Sequence, residues 1–220
     1  MPASLHLDPA RTALLNVDLQ RCFVADSPLA APGGRALVQR VNGLSRVCRD
    51  TGAVVVHTRG WMHPDGKNVG PVMSELVPPF VVALYTAGAP TAELDDGLDV
   101  GPDDRILDKS RYGAFHGTDL ETSLRSRGID TVLITGIATN ICCETTAREA
   151  AQRDFHVVFL ADGTATREMN GVDAETLQRA TCASLGMVFA RISTIDEATD
   201  ALLAAPSQSP QVVPVDGTVT

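Results

Sequence analysis

The chain has 220 residues, of which 44% are hydrophobic and 4% are aromatic, and its formal net charge is −9. A chain of this length can bury one substantial core, so we expect a single domain over residues 1–205. The negative charge argues against nucleic acid and against an anionic membrane as partners, because either needs a basic protein surface. No apolar run approaches the roughly 18 residues of a transmembrane helix, so no membrane span is expected.

The cysteines and the first residues of the chain bear on the cellular compartment in which the protein is expected. The five cysteines are an odd number without a C-x-x-C pair, which favours free thiols over a disulfide framework. Residues 1–8 lack the basic region and the apolar run of a signal peptide. The interpretation is a cytoplasmic protein whose thiols are reduced.

Apolar runs alternate with helical periodicity along most of the chain. Strands are predicted at residues 12–19, 53–58, 105–108, 131–137, 156–161 and 187–192. Helices are predicted at residues 34–49, 118–126, 140–153, 174–184 and 195–203. The strand runs are rich in Val, Ile and Leu with little polar alternation, which is typical of strands covered on both faces. The pattern predicts an α/β fold, a three-layer α/β/α sandwich around a six-stranded parallel sheet with right-handed crossovers.

Three segments carry other local signals. Residues 60–104 are too long for a plain connection, so we expect them to form a functional cover or a subunit contact. Thr118 and Glu121 have the spacing of a capping box, and the helix that they begin is expected to end before Gly128. Residues 206–220 contain three prolines and no periodicity, and they are predicted to be disordered.

Ionisable side chains stand at the ends of several predicted strands. Ligands of open parallel sheets bind at the carboxyl ends of the strands, where the strand order reverses. Asp18 ends strand 1, Lys109 follows strand 3, strand 4 leads to Cys142, and Asp162 ends strand 5. If the strand order is 3-2-1-4-5-6, strand 3 lies about 10 Å from strand 1, a distance that a lysine stem can only just cover. An acid, an amine and a thiol at one sheet edge are the groups that acyl transfer requires.

The two adjacent thiols have different predicted surroundings. Cys143 shares one helix face with the alanines four, seven and eight residues after it, so we expect it to pack on the sheet. Cys142 points about 100° away, in the first helical turn, where free N–H groups and the helix dipole are expected to lower the pKa of a thiol. Most cysteines are inert apolar residues, an interpretation that we accept for Cys48, Cys143 and Cys182. Cys142 is the candidate nucleophile.

Three motifs, in the same order along the chain, resemble the signatures of one family. Residues 17–23 (VDLQRCF) resemble the Asp-x-Gln-x-x-Phe signature of the isochorismatase-like cysteine hydrolases, which follows their first strand. Residues 109–115 (KSRYGAF) resemble the lysine segment of that family, and residues 135–149 (TGIATNICCETTARE) resemble its third signature. The resemblance covers roughly residues 12–203.

The resemblance implies an isochorismatase-like, Rossmann-like sandwich with strand order 3-2-1-4-5-6 and an amide-hydrolysing triad of Asp18, Lys109 and Cys142. It also implies a cis peptide between Ile137 and Ala138, so that the N–H groups of Ala138 and Cys142 hold a developing oxyanion. No metal or cofactor is implied, and a homodimer or homotetramer is expected. The implied reaction is hydrolysis of a small linear amide or ureide through a thioester or thiocarbamate on Cys142, with Asp18 accepting the thiol proton.

The substrate-binding residues are less well defined by the sequence. Candidate walls are Phe23, Trp61, Tyr112, Phe115 and His116. Arg59 or Arg111 is a candidate partner for a substrate carboxylate. Ureidoacrylate-like, biuret-like, carbamoyl-amino-acid and maleamate-like compounds all remain open as substrates.

Other functions fit parts of the sequence less well. A metal-dependent nicotinamidase would need ligands such as His57, His63 and Asp65, whose spacing departs from that subgroup. An isochorismatase proper cleaves a vinyl ether and does not need the thiol. A redox sensor would need a strained disulfide between adjacent residues of a helix. A silent small-molecule binding protein is also open, whereas nucleotide binding is excluded because no G-x-G-x-x-G follows strand 1.

Overall fold

The computed structural model describes residues 5–25 and 27–205, and the predicted disordered tail lies outside these residues. Its centre is a six-stranded sheet in the order β3-β2-β1-β4-β5-β6, with each neighbouring pair parallel. The predicted fold class and strand order are therefore confirmed. The strands are β1 Thr12–Val17, β2 Val54–Gly60, β3 Arg105–Lys109, β4 Thr131–Ile137, β5 His156–Ala165 and β6 Arg191–Ser193.

Helices cover both faces of this sheet. They are α1 Arg21–Val24, α2 Gly34–Thr51, α3 Pro71–Leu76, α4 Pro79–Ala83, α5 Leu120–Ser126, α6 Glu144–Ala151, α7 Ala174–Val188 and α8 Ile195–Leu203. Leu14 packs with residues of α2 and α8, whereas its neighbours Ala13 and Leu15 pack with residues of α5, α6 and α7. Successive side chains of a strand point to opposite faces, so β1 is apolar throughout because both of its faces are buried.

The last strand and the end of β5 differ from the prediction. Met187 and Val188 were predicted to begin strand 6, but they end helix α7, where 80% and 75% of their surface is exposed. In the sequence, these exposed apolar residues at a helix end cannot be distinguished from the apolar run of a buried strand. Asp162 lies inside β5, which continues to Ala165, and its carboxylate accepts a hydrogen bond from the N–H of Ile195 at the start of α8. Asp162 therefore caps a helix and is not a residue of the site described below.

The predicted capping box is wrong. Helix α5 begins at Leu120 with Asp119 as its N-cap, and the Thr118 hydroxyl accepts a hydrogen bond from the Leu120 N–H while it donates to the carbonyl oxygen of Ala114. Thr118 therefore lies one residue before the N-cap position that a capping box would require. Gly128 follows the helix in the left-handed region, φ +74°, as expected for a residue that ends a helix.

The covering segment, residues 60–104, contains the short helices α3 and α4 and lies over the carboxyl end of β1. The Gln20 amide joins it to the sheet, since its nitrogen donates to the carbonyl oxygens of Gly60 and Ala92 and its oxygen accepts from the Gly60 N–H. Met62, Met73 and Tyr85 of this segment pack with Cys22 in a small apolar cluster. Within the described part of the chain, no helix is long and apolar enough to cross a membrane.

Candidate active site

A buried ion pair stands at the carboxyl edge of the sheet. Asp18 directly follows β1 in the left-handed region, φ 51°, which aspartate tolerates better than most residues. Its Oδ2 lies 2.7 Å from Nζ of Lys109, and its Oδ1 accepts a hydrogen bond of 2.6 Å from the Thr58 hydroxyl. Only 1% of each charged side chain is exposed. The pair therefore has little contact with solvent that could screen it.

Lys109 reaches Asp18 from the edge of the sheet, across β2. It is the last residue of β3, and its register partner on β2 is Gly60. Nζ also donates to the carbonyl oxygens of Arg111 and Tyr112, at 3.0 Å each, so its three protons all have acceptors.

The electrostatics keep this lysine charged. Burial by itself lowers the pKa of Lys109, but the Asp18 carboxylate and Cys142 raise it further than burial lowers it. The net direction is upward from the ordinary lysine value, so the ammonium persists across the neutral range.

Cys142 stands in a π-helical turn between β4 and α6. The peptide bond between Ile137 and Ala138 is cis, and the turn runs from Thr139 to Cys143 before α6 begins. A helix was predicted to begin at residue 140, and the structure adds that its first turn is wider than an α-helical turn. A side chain at Gly136, φ +125°, would approach the carbonyl oxygen of Val17 to 2.0 Å, so the approach to this turn requires glycine.

The two neighbouring thiols are separated as predicted. Cys143 is fully buried in the core with Ala147 and Ala150, whereas Cys142 is partly exposed and lines a cavity. The predicted lowering of the pKa of Cys142 is wrong in direction, however. Burial raises its pKa most; Lys109 lowers it, the charge of Asp18 and a hydrogen bond to Asp18 raise it, and the Ala138 N–H lowers it. Because the net effect is upward, the free protein holds a protonated thiol beside the Asp18 carboxylate.

A cavity of about 300 Å³ joins these groups. Asp18, Lys109, Ala138 and Cys142 all line it, together with Phe23 and Ile141 from the sheet edge. The covering segment supplies much of the remaining wall, through Met62, Met73, Leu76, Val77, Pro78, Val81 and Tyr85. A largely apolar pocket with a few convergent polar groups is typical of a small-molecule site.

Two independent comparisons identify the family. Residues 12–197 match the isochorismatase domain. The chain belongs to the isochorismatase family. It is 30% identical to a ureidoacrylate amidohydrolase, RutB, of Methylobacterium radiotolerans, over 95% of this chain and 86% of that protein. It is also 32% identical to Nicotinamidase 3 of Arabidopsis thaliana, over 87% of this chain and 88% of the relative.

A solved structure agrees with this family assignment. The cysteine hydrolase of Pseudomonas syringae pv. phaseolicola superposes with a TM-score of 0.85 at 30% identity, covering 93% of this chain and 99% of that protein. This isochorismatase-family chain is therefore similar to amidohydrolases in sequence and to a cysteine hydrolase in structure.

Part of the predicted substrate-binding set does not line the cavity. Phe23 and Tyr112 do line it. Phe115 is instead buried in the core against Phe155, with ring centroids 5.5 Å apart, and His116 is exposed. The Arg59 guanidinium lies over the Trp61 ring, with its central carbon 4.0 Å from the ring centroid. These three predictions rested on residue type, whereas local packing decides where each ring lies.

The arginines near the cavity also separate into two groups. Arg59 forms ion pairs with Asp108 and Glu93, so it is not available for a substrate carboxylate. Arg111 lines the cavity and donates to the carbonyl oxygens of Asn68 and Ser110, and it forms no ion pair with residues 5–25 or 27–205. Arg167, from the loop after β5, lines the cavity as well and was missed by sequence reasoning.

Other residues of the site were missed for different reasons. Thr58 could have been found, because it lies near the end of a strand that neighbours β1. The wall residues Met62, Met73 and Tyr85 follow no periodic pattern, and only the path of the covering segment brings them to the cavity.

The three residues that were candidate metal ligands lie in different surroundings and do not form a common site. His57 is buried in β2, where Asn16 donates to its Nδ1 and its Nε2 donates to Asp104. His63 is exposed in a loop, and Asp65 pairs with Lys67. Among residues 5–25 and 27–205, no group of three or more His, Cys, Asp or Glu side chains could hold a metal ion.

Proposed function

We propose that this isochorismatase-family protein is a cysteine amidohydrolase that cleaves the C–N bond of a small linear amide or ureide. The observation that carries the proposal is the meeting of Asp18, Lys109 and Cys142 at one wall of an apolar cavity. The amidohydrolase names of its relatives support the same reaction type.

The first step follows from the protonated state of the thiol. As the sulfur of Cys142 attacks the amide carbon, its proton passes to Asp18, which accepts a hydrogen bond from it. Lys109 stays charged and stabilises the negative charge that moves between sulfur and carboxylate. A C–S bond forms, and the carbonyl π bond becomes an oxyanion, which the N–H groups of Ala138 and Cys142 hold.

The second half of the cycle returns the proton. The oxyanion collapses, the C–N bond breaks, and Asp18 protonates the leaving nitrogen, so that ammonia or an amine departs. A thioester or thiocarbamate then remains on Cys142. Water, deprotonated by the same Asp18, attacks this acyl group and releases the acid and the thiol.

The cavity also bears on the substrate. Its walls are largely apolar, and the guanidinium groups of Arg111 and Arg167 donate to carbonyl oxygens and form no ion pair within the described part of the chain. We therefore favour a short acyl group that ends in a carboxylate, as in the ureidoacrylate of one relative's name. Nicotinamide, after another relative, is the second candidate. Homo-oligomerisation and a cytoplasmic location stay predictions.

The decisive experiment measures ammonia release from ureidoacrylate, maleamate, biuret, carbamoyl amino acids and nicotinamide. Cys142→Ala should lower kcat by several orders of magnitude, because the members of a nucleophile–base unit act together. Intact-protein mass spectrometry of the wild type should detect the acyl adduct, which the variant should lack.

Cys143→Ala is the matched control, since it removes the adjacent sulfur from the core. Its kcat should stay within about threefold of wild type, at a cost of about 1 kcal/mol in the free energy of unfolding. An inactive Cys143→Ala protein beside an active Cys142→Ala protein would refute the assignment. Cleavage of a vinyl ether by Cys142→Ala would instead support isochorismatase chemistry.

A further inference from the structure

Tyr85 places a phenol in the wall of the cavity. It follows helix α4 in the covering segment, it is 7% exposed, and it lines the cavity together with Cys142. Its ring packs against Phe23, with the ring centroids 5.9 Å apart. The side chain is thus held by its neighbours, and the proposed reaction makes no use of its hydroxyl.

The hydroxyl of Tyr85 has a poor acceptor. It donates to the thioether sulfur of Met73 at 3.8 Å. A thioether is a weak acceptor, whereas a buried tyrosine usually finds an oxygen or nitrogen partner. A buried donor with so weak a partner gains more from a new oxygen acceptor than a donor that is already well bonded.

The phenol remains a donor throughout the neutral range. Burial raises the pKa of Tyr85 most, and the nearby Tyr112 and Cys142 raise it further. Tyr85 and Cys142 both line the cavity, so the phenol and the proposed nucleophile belong to one site. A proton-bearing side chain is therefore part of the wall of the cavity in which a substrate would lie.

We propose that the Tyr85 hydroxyl leaves Met73 when substrate binds and donates a hydrogen bond to an oxygen of the substrate remote from the scissile C–N bond. Tyr85 is then a specificity-determining residue. It selects amides that carry a second oxygen acceptor, a carboxylate or a carbonyl, over amides with a purely apolar acyl group. This inference rests on the proposed amidohydrolase function.

Three amides of similar length test it. Butyramide has no second acceptor, levulinamide has a neutral carbonyl, and succinamate has a carboxylate. The wild type should prefer levulinamide and succinamate to butyramide. Tyr85→Phe should lower kcat/KM about 10- to 100-fold for the two acceptor-bearing amides and less than about threefold for butyramide.

Met73→Leu separates recognition from packing. This variant removes the thioether acceptor and keeps the donor. Because Met73 lines the cavity, the individual values of kcat/KM are free to change, but the ratio between succinamate and butyramide should not fall below about one third of the wild-type ratio. Thermal unfolding of both variants checks that the fold persists. Loss of this ratio in Met73→Leu, or an equal fall for all three amides in Tyr85→Phe, overturns the inference while the amidohydrolase proposal stands. Absence of ammonia release from the wild type with these amides and with the whole substrate panel overturns both.

Discussion

Two buried charge clusters lie on neighbouring strands, and their surroundings differ. In the first, Asp18 after β1 pairs with Lys109 of β3. In the second, Asp104 accepts hydrogen bonds from His57 of β2 and from Arg49 of α2. Both clusters bury a carboxylate almost completely, with 1% and 3% of the side chain exposed.

The difference between the clusters lies in what borders them. Cys142 and a cavity adjoin the Asp18–Lys109 cluster. The His57 ring of the other cluster is fully buried and hydrogen-bonded on both of its nitrogens, to Asn16 and Asp104. A buried ion pair is therefore not by itself the mark of a reactive site. The partly exposed thiol of Cys142 beside the Asp18–Lys109 pair distinguishes that cluster from the other one.

The largest expected effect comes from removing the cation of each cluster. Lys109→Met should lower kcat by several orders of magnitude and destabilise the fold by about 3–5 kcal/mol, because it leaves Asp18 buried and unpaired. Arg49→Met, the matched change, should cost about 1–3 kcal/mol and leave kcat within about threefold. Steady-state kinetics and denaturant unfolding measure both effects. Equal losses of kcat in the two variants would end the distinction between the clusters.

A smaller effect is expected from the hydroxyl that positions Asp18. Thr58→Val removes the hydrogen bond to Oδ1, so kcat should fall about 10-fold while KM changes little. Thr135→Val is the control, since its hydroxyl donates to Asn16 beside the His57 cluster, and it should cost stability without loss of kcat. If Thr58→Val raised KM and left kcat unchanged, Thr58 would be a binding residue and not a positioning one.

The smallest effect is a pH dependence of stability. Burial lowers the pKa of His57 more than Asp104 raises it, so the unfolded chain binds a proton at a higher pH than the folded one. The folded state should therefore lose stability as the pH falls below about 6.5, by at most about 1.4 kcal/mol per pH unit for one proton. His57→Gln should flatten this dependence of Tm between about pH 7 and pH 5. An unchanged slope would show that other groups cause it.

The sequence pattern by itself determined the parallel sheet and the two faces of the cysteine pair, whereas the strand order was implied by the family resemblance. The apolar run of β1 requires two covered faces, and helical spacing puts Cys143 with the core alanines and Cys142 away from them. The ends of β1 and β3 bring Asp18 and Lys109 to one sheet edge. The strands and the cysteine faces depend on local periodicity, which neighbouring residues specify, and the meeting of Asp18 with Lys109 depends in addition on the strand order.

Only the tertiary structure decided the sign of the pKa shift of Cys142 and the composition of the cavity wall. The helix position favours a thiolate, but burial depends on everything packed around the sulfur, and burial has the larger effect. Likewise, the path of the covering segment brings Tyr85 and Met73 to the cavity, while packing turns Phe115 into the core. Desolvation and wall shape are sums over residues distant in sequence, so no local pattern contains them.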